Sequence, residues 1–453
     1  MFKIGFRQKY IKAASASTMS SFRDVPLEIA LEIIKAICPN CTPRAQRTCF
    51  SPHRLDDCVN PGNDARNIVA LARLCQASKF LNSLATPHLY HRPTCVKWPF
   101  LARTLILRPD LARHVKHLRG HAWIHCTARF PWEVLEYLFD GNPAGDPEDE
   151  PDSDPVDVLP PLCPNLEDLE LTVNYGDLLV RNTLGSLRHL RNVKLSHADT
   201  EGGMHFHHLE RLNTLAPQLT RIFCDAMDMQ SPEFDDSETI SLATFSNLTD
   251  LRFDHSAIAA EWLPIILAAC PRLQSFSYQE GGPTVGYSQF TPQDAQEALI
   301  RYAPNLVSLR LDIIAEDLQN PSNTTVVISS LTDLSRLEHL ALNLSNLLPE
   351  PQLVQAGWYA ADGQLMPSIY ALPEPDPLLL VHLLPASIRS LTLSRDSIKS
   401  DFTCLRAALV RLAEVAADQF PRLEKVTLSR SEEEDVEIKV SIQAYGIRVC
   451  LEK

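Results

Sequence analysis

The sequence predicts an α/β protein: a small helical head, then a repeat solenoid with parallel strands on its concave side and helices on its convex side. Three observations predict it. A phrase recurs as Cys163-Pro-Asn-Leu166, Ala216-Pro-Gln-Leu219, Cys270-Pro-Arg-Leu273, Ala303-Pro-Asn-Leu306 and Phe420-Pro-Arg-Leu423, each opening a Leu-x-x-Leu-x-Leu-like run. The stretches between the copies carry helical periodicity, as in Ala260 to Ala269. Ahead of the copies lie two helical stretches, Leu27 to Ile37 and Ile68 to Leu84.

Taken in order, the first 21 residues read as a disordered leader. The stretch as far as Arg23 carries Lys3, Arg7, Lys9, Lys12 and Arg23 and no acid. The next segment, 22–91, is the predicted head. Asp24 is placed to cap its first helix, Pro26 suits the first turn, and Glu28 favours the positive helix end. Apolar residues nearly encircle that helix, so it is either wrapped by other helices or meets a partner protein. The second stretch sets Ile68, Leu71, Leu74, Cys75, Ser78 and Leu81 on one stripe and closes at Pro87-His-Leu-Tyr90.

Residues 92–139 read as a linker with a first, degenerate repeat at Val115-Lys-His-Leu118. An insert at 140–158 follows, with eight acids, four prolines and no base from Asp140 to Asp157, too polar to bury a core and expected to be disordered. It holds more than half of the formal net charge of −14 over 453 residues.

The array at 159–453 is registered by its first apolar positions, Leu166, Leu190, Leu219, Leu248, Leu273, Leu306, Leu337, Ile388 and Leu423. Their spacing, 24 to 51 residues, brackets the leucine-rich-repeat period of about 20 to 29 with insertions. Asn174 fills the asparagine position of the first repeat. Within each run the last two apolar residues are two apart, so both point to one face of a short strand and their neighbours to the other. Nine or ten such strands make a strip on the order of 45 Å long, a length suited to a protein ligand. The outward positions are the candidate target contacts: Asp168, Glu170, Asn192, Lys194, Arg221, Phe223, Asp250, Arg252, Asp254, Arg310, Asp312, His339 and Lys425. Phe223 stands out among them as a large apolar anchor. Residues 349–377, with Trp358, Tyr359 and Tyr370, read as an excursion from the array.

Composition excludes several classes. An excess of 56 acids over 42 bases argues against a nucleic-acid surface. No run of eighteen apolar residues exists, so no membrane span is expected. Twelve cysteines, several in apolar slots such as Cys163, Cys224 and Cys270, point to reduced thiols and a cytoplasmic or nuclear compartment. The sequons at Asn247, Asn323 and Asn343 are then without consequence. No catalytic or phosphate-binding motif stands in the chain, so the expectation is a non-enzyme without a cofactor. For metal, Cys38-x-x-Cys41 with Cys49, Cys58 and His53 offers enough donors, but the later cysteines lack a second close hook. An ordinary loop between helices, and no metal site, is expected there. His114, His117, His121 and His125 follow helical offsets, yet Gly120 interrupts them and Val115/Leu118 reads better as a strand.

Three segments of the head together carry a family pattern: Val25-Pro26-Leu27-Glu28-Ile29, Leu74-Cys75-Gln76-Ala77-Ser78-Lys79 and Pro87-His88-Leu89-Tyr90. In this order they resemble the Leu-Pro-x-Glu-Leu/Ile opening, the Leu-Cys-x-x-Ser-Lys segment and the Pro-x-Leu-Tyr close of an F-box, with Val25 in place of the leading leucine. The resemblance implies a head that grips a Skp-type adaptor, and through it a cullin, using Val25, Pro26, Ile29, Ile33, Leu74 and Cys75. The chain as a whole is similar to F-box proteins with degenerate leucine-rich repeats, which implies a substrate-recognition subunit of a ubiquitin ligase binding a protein target of unknown identity. The alternative is a repeat scaffold or inhibitor that acts outside any ligase.

Overall fold

A computed structural model describes residues 25–38, 41, 61–93, 98–121, 159–173, 187–197, 208–229, 244–281, 291–313, 327–348, 352–355, 369–371, 376–394, 405–429 and 436–452. The leader, the acidic insert, Asp24, Cys49, His53, Cys58, His125, Asn174, Asn323, Trp358 and Tyr359 lie outside the described residues. The described residues fall into two compact units, one within 25–119 together with 162–166, the other from the remainder.

In the first unit, α1 spans Leu27–Ile37, α2 Pro61–Ala77, α3 Lys79–Leu89 and α4 Trp98–Leu107. Pro26 stands at the N-cap of α1 rather than within its first turn, and its carbonyl accepts from the Ala30 N–H at 3.0 Å. The single second helix expected from Ile68 to Leu84 is two helices. Ser78 breaks it: its backbone is extended and its Oγ accepts from the Leu81 N–H at 3.1 Å, capping α3. A polar residue on an apolar stripe thus marks a new helix start, because a serine side chain competes with the backbone for the helix's own hydrogen bonds. Ile34, Cys38, Leu71 and Ala85 form the core of the unit, with Ile37, Cys41, Leu74, Cys75, Leu84 and Leu89 partly buried around them.

Strand β1, His117–His121, replaces any histidine-bearing helix. Ahead of it the Val115 N–H closes a turn on the Ala112 carbonyl, and the His91 carbonyl accepts from both Lys116 and His117.

The second unit repeats that arrangement. Strands β2 (Asp168–Val173), β3 (Asn192–His197), β4 (Arg221–Asp225), β6 (Asp250–Ile258), β7 (Ser275–Glu280), β8 (Ser308–Asp312), β9 (His339–Asn343), β12 (Ser390–Ser394), β13 (Lys425–Ser429) and β14 (Arg448–Glu452) lie side by side in that order, every neighbouring pair parallel. The two-residue β5 (Asp228–Met229) adds to the far end of β6. The excursion carries a separate antiparallel pair, β10 (Gln352–Gln355) and β11 (Ile369–Ala371).

The recurring phrase is the turn that launches each strand. Nine first-position residues, from Leu166 to Leu423, donate to the carbonyl three residues back at 2.9 to 3.2 Å. Proline suits the second position of such a turn, since its φ is already set and its missing N–H is not needed. The residue after each first position then offers its carbonyl to two successive N–H groups of the next repeat. Thr220 and Arg221 bond Arg191, Thr249 and Asp250 bond Thr220, and so on to Glu424 and Lys425 on Arg389. One repeat satisfies the exposed backbone of the last, which is why stacking neighbours is the stable arrangement.

Register delivers two continuous apolar rows. One runs Leu169, Val193, Ile222, Leu251, Phe276, Leu309, Leu340, Leu391, Val426, Val449, and the other runs Leu171, Leu195, Cys224, Phe253, Tyr278, Leu311, Leu342, Leu393, Leu428 and Leu451. All but Leu451 are under a tenth exposed. Each such leucine stabilises the fold by about 1.5 to 3 kcal/mol against leaving it in water. Helices α5 (His208–Leu215), α6 (Trp262–Ala269), α7 (Pro292–Tyr302), α8 (Leu379–Leu383), α9 (Arg406–Gln419) and α10 (Val436–Gln443) occupy the linking segments. Thr291 and Asp294 form a reciprocal capping box that starts α7, with Pro292 in its first turn. No helix among the described residues is long and apolar enough to cross a membrane.

Candidate functional site

Three features of the described residues can carry function: an apolar stripe on α1, the polar face of the sheet, and a cysteine–histidine cluster. The stripe follows from helical spacing. Ala30, Ile34 and Cys38 lie one turn apart and are buried, whereas Ile29 and Ile33, one turn apart on another side, are 44 % and 41 % exposed, and Leu27 at the helix start is 47 % exposed. The helix is therefore apolar on two sides and packed on one. Pro26 is exposed with them and Val25 is half-buried. A shallow groove nearby is lined by Ile37, Arg66, Val69, Ala70, Arg73 and Leu74, with two guanidinium groups at an otherwise apolar surface. Of the six adaptor positions, Pro26, Ile29 and Ile33 face solvent and Leu74 lines the groove. Cys75 is half-buried against the core of the unit, its Sγ 3.6 Å from Thr86 Oγ1.

On the sheet, alternation places the polar rows opposite the two apolar ones. Asp168, Asn192, Arg221, Asp250, His339 and Lys425 occupy one row in register, joined there by Ser275, Ser308, Ser390 and Arg448. Glu170, Lys194, Phe223, Arg252 and Arg310 occupy the next, with Ser277 between the last two. Asp254 and Asp312 sit one step further along their strands.

Much of this face is already paired with itself. Asn192 Nδ2 donates to Asp168 Oδ1, Lys194 Nζ meets Glu170 at 3.3 Å, His339 Nδ1 meets Ser390 Oγ at 2.8 Å, and Asn343 donates to Asp312 at 2.8 Å. Phe223 is on the outer face as predicted but is not an open anchor. Only 8 % exposed, its ring lies between the Lys194 ammonium at 5.2 Å and the Arg252 guanidinium at 4.9 Å. Arg252 in turn grips Asp254 through two hydrogen bonds of 2.8 and 2.6 Å, and both residues are buried. Asp254 is thus an internal partner, not an exposed contact. Beside Arg252, the buried Ser277 hydroxyl has no hydrogen-bond partner among the described residues. Just past Asp254 the register slips, His255 takes a positive φ of 45°, and its Nδ1 reaches Asp225 at 2.9 Å. Burial lifts the Asp250 carboxyl above its ordinary range, against the opposing pull of Arg221.

The cluster joins residues far apart in sequence. Cys38 follows α1 directly, and the Cys41 N–H bonds the Cys38 carbonyl at 3.2 Å, folding the two into a hook. His88 ends α3 and His91 follows one turn later, its carbonyl held by the Lys116 and His117 N–H groups at 3.0 and 2.9 Å. Cys38 Sγ lies 3.7 Å from His91 Nδ1, and Cys41 Sγ lies 3.3 Å from His88 Nδ1 and 3.5 Å from His91 Nδ1. All four donor atoms fall within 4.8 Å of one another.

Burial lowers both imidazoles, His91 to about 4, with neighbouring cations adding to the effect, which favours the neutral form that holds a lone pair. Burial and the Cys38 sulfur push the Cys41 thiol up to about 12. The sequence offered Cys49, Cys58 and His53 as partners of the Cys38/Cys41 pair, but the structure brings His88 and His91 to it. A second close pair, His88-x-x-His91, was the signal available in the sequence.

No protein-family model matches this chain, and no curated protein matches it.

Proposed function

We propose that this chain is the substrate-recognition subunit of a Skp-cullin-F-box ubiquitin ligase. Its first unit docks a Skp-type adaptor, and the polar face of its repeat sheet receives a target protein. The observation that carries this reading is a second apolar side of α1: Ile29 and Ile33, one turn apart, spend two large side chains on solvent, and Leu27 is exposed at the helix start. Such a stripe costs solubility unless a partner covers it, and helix-in-groove docking reads such spacing. The first of the three motif segments that resemble an F-box, Val25 to Ile29, includes Leu27 and Ile29.

The chain itself would perform no chemistry. Held at once by adaptor and target, it raises the local concentration of a target lysine beside a ubiquitin-carrying enzyme. The mixed charges of the sheet face match no single charge class of target. The self-paired strip from Glu170 to Asp254 supplies rigidity, so the open contacts beside it are Arg221, Arg310 and Lys425.

The test is co-purification of the full chain with a Skp-type adaptor. Wild type retains the adaptor and Pro26→Ala combined with Ile29→Asp loses it, with the circular dichroism spectrum unchanged. Adaptor retained by the double variant sinks the reading, as does a wild-type chain that never retains it. The second result leaves a repeat scaffold acting outside any ligase.

A further inference from the structure

We infer that Cys38, Cys41, His88 and His91 form a closed, structural zinc site that staples the end of α1 to the end of α3. This inference stands apart from the adaptor reading, because it rests on donor chemistry and geometry alone.

Zinc takes four tetrahedral ligands, with Zn–S of ~2.3 Å and Zn–N of ~2.0 Å, which places sulfur and nitrogen ligands ~3.5 Å apart. The three sulfur–nitrogen separations here, 3.7, 3.3 and 3.5 Å, sit around that edge length. Two soft sulfurs with two imidazoles is a set that selects zinc over magnesium or calcium, whose ligands are oxygens. Cys38 is fully buried and the other three are half-buried, and four protein ligands leave no open position, so the site would be structural and not catalytic.

A metal-free alternative exists: each thiol could donate to one imidazole nitrogen. That arrangement satisfies each sulfur with one contact, whereas Cys41 Sγ is within 3.5 Å of both rings. Binding balances as Zn²⁺ plus two thiols and two neutral imidazoles giving the neutral Zn(S)₂(N)₂ centre and two released protons. The charge of a bound ion favours the thiolate form of its sulfur ligands. The ligands come as two hooks, Cys38-x-x-Cys41 after α1 and His88-x-x-His91 at the end of α3. The histidine hook is one residue shorter than the usual lower limit of three intervening residues.

The experiment uses the full chain purified under reducing conditions without chelator. Metal analysis should find about one zinc per chain. In Cys41→Ser and in His91→Asn it should fall below about a tenth of that. Cys49→Ser with Cys58→Ser, which tests the other cysteines of the same region, should retain it. Because the ligand variants could fail to fold, a second measurement uses the wild type alone: cobalt(II) added to the chelator-stripped, reduced protein should give the intense visible absorption and thiolate charge-transfer band of a tetrahedral sulfur–nitrogen site, bleached by one equivalent of zinc. Wild type that holds no zinc and gives no such cobalt spectrum overturns the inference. So does zinc that survives both ligand variants, or that leaves with Cys49 and Cys58.

Discussion

Arg252 and Asp254 give the sharpest test of how the sheet's outer face is built. Their side chains are 10 % and 2 % exposed and share two hydrogen bonds, and the guanidinium also covers Phe223 at 4.9 Å. Asp254→Ala leaves that cation buried without its carboxylate. Breaking a buried pair from one side costs about 3 to 5 kcal/mol, and because the guanidinium keeps its contact with the Phe223 ring, worth about 0.5 to 2 kcal/mol, the lower end of that range is expected.

Removing both charges is a different perturbation. Arg252→Met with Asp254→Leu removes both members of the pair at similar volume, so the double variant should be more stable than Asp254→Ala alone. Urea unfolding followed by circular dichroism, with amide exchange reading β6 locally, gives both values. The reasoning is refuted if Asp254→Ala costs less than about 1 kcal/mol, or if the double variant is as unstable as the single one.

Three further outcomes follow from the same structure. Leu340→Ala, in the middle of the first apolar row and 2 % exposed, should destabilise the array by about 2 to 5 kcal/mol, whereas Ala341→Ser on the opposite face should change it by less than about 0.5 kcal/mol, both read from urea midpoints; equal effects would mean the register is wrong. Burial pushes the thiols of Cys163 and Cys270 up to about 12, and Cys224 is raised as well, so at neutral pH native Cys163 and Cys270 should react with a thiol reagent about a thousandfold more slowly than in urea; labelling at the unfolded rate by mass spectrometry would contradict this. Asp250 binds its proton more tightly folded than unfolded, so it favours folding below its unfolded value and this contribution is lost as pH rises through the folded one. Asp250→Asn should therefore melt above wild type at pH 7, with the gap closing below about pH 4, and a gap independent of pH would refute the assignment.

The strand phase was legible in the sequence because it needs only local facts. In Leu-x-x-Leu-x-Leu, alternation fixes which residues share a face, and a proline turn fixes where the strand begins. Leu169 and Leu171 were placed by the same rule as Leu391 and Leu393, and both pairs fall in the core rows. Burial on the outer face was not legible. Phe223 points outward by alternation, but Lys194 and Arg252 close over it from neighbouring strands, and that depends on which repeats are adjacent and in what register.

The head shows the same division. Periodicity alone carried one helix through Ser78, since Leu74, Ser78 and Leu81 keep helical spacing; the structure breaks it because the serine hydroxyl caps the helix that follows. The cysteine–histidine cluster was the least legible. Cys41 and His88 are 47 residues apart, and only the packing of α1 against α3 brings their donor atoms to 3.3 Å.

The most direct measurement of the central claim is titration of the full chain with a purified Skp-type adaptor by calorimetry, alongside Ile29→Asp combined with Ile33→Asp. Both residues are more than 40 % exposed, so the substitutions should leave the melting temperature within about 2 °C of wild type. The account predicts a saturable one-to-one complex for wild type and at least a hundredfold weaker binding for the variant, since two charges would have to be buried against an apolar groove. Equal binding by both chains, or none by the wild type, would contradict it.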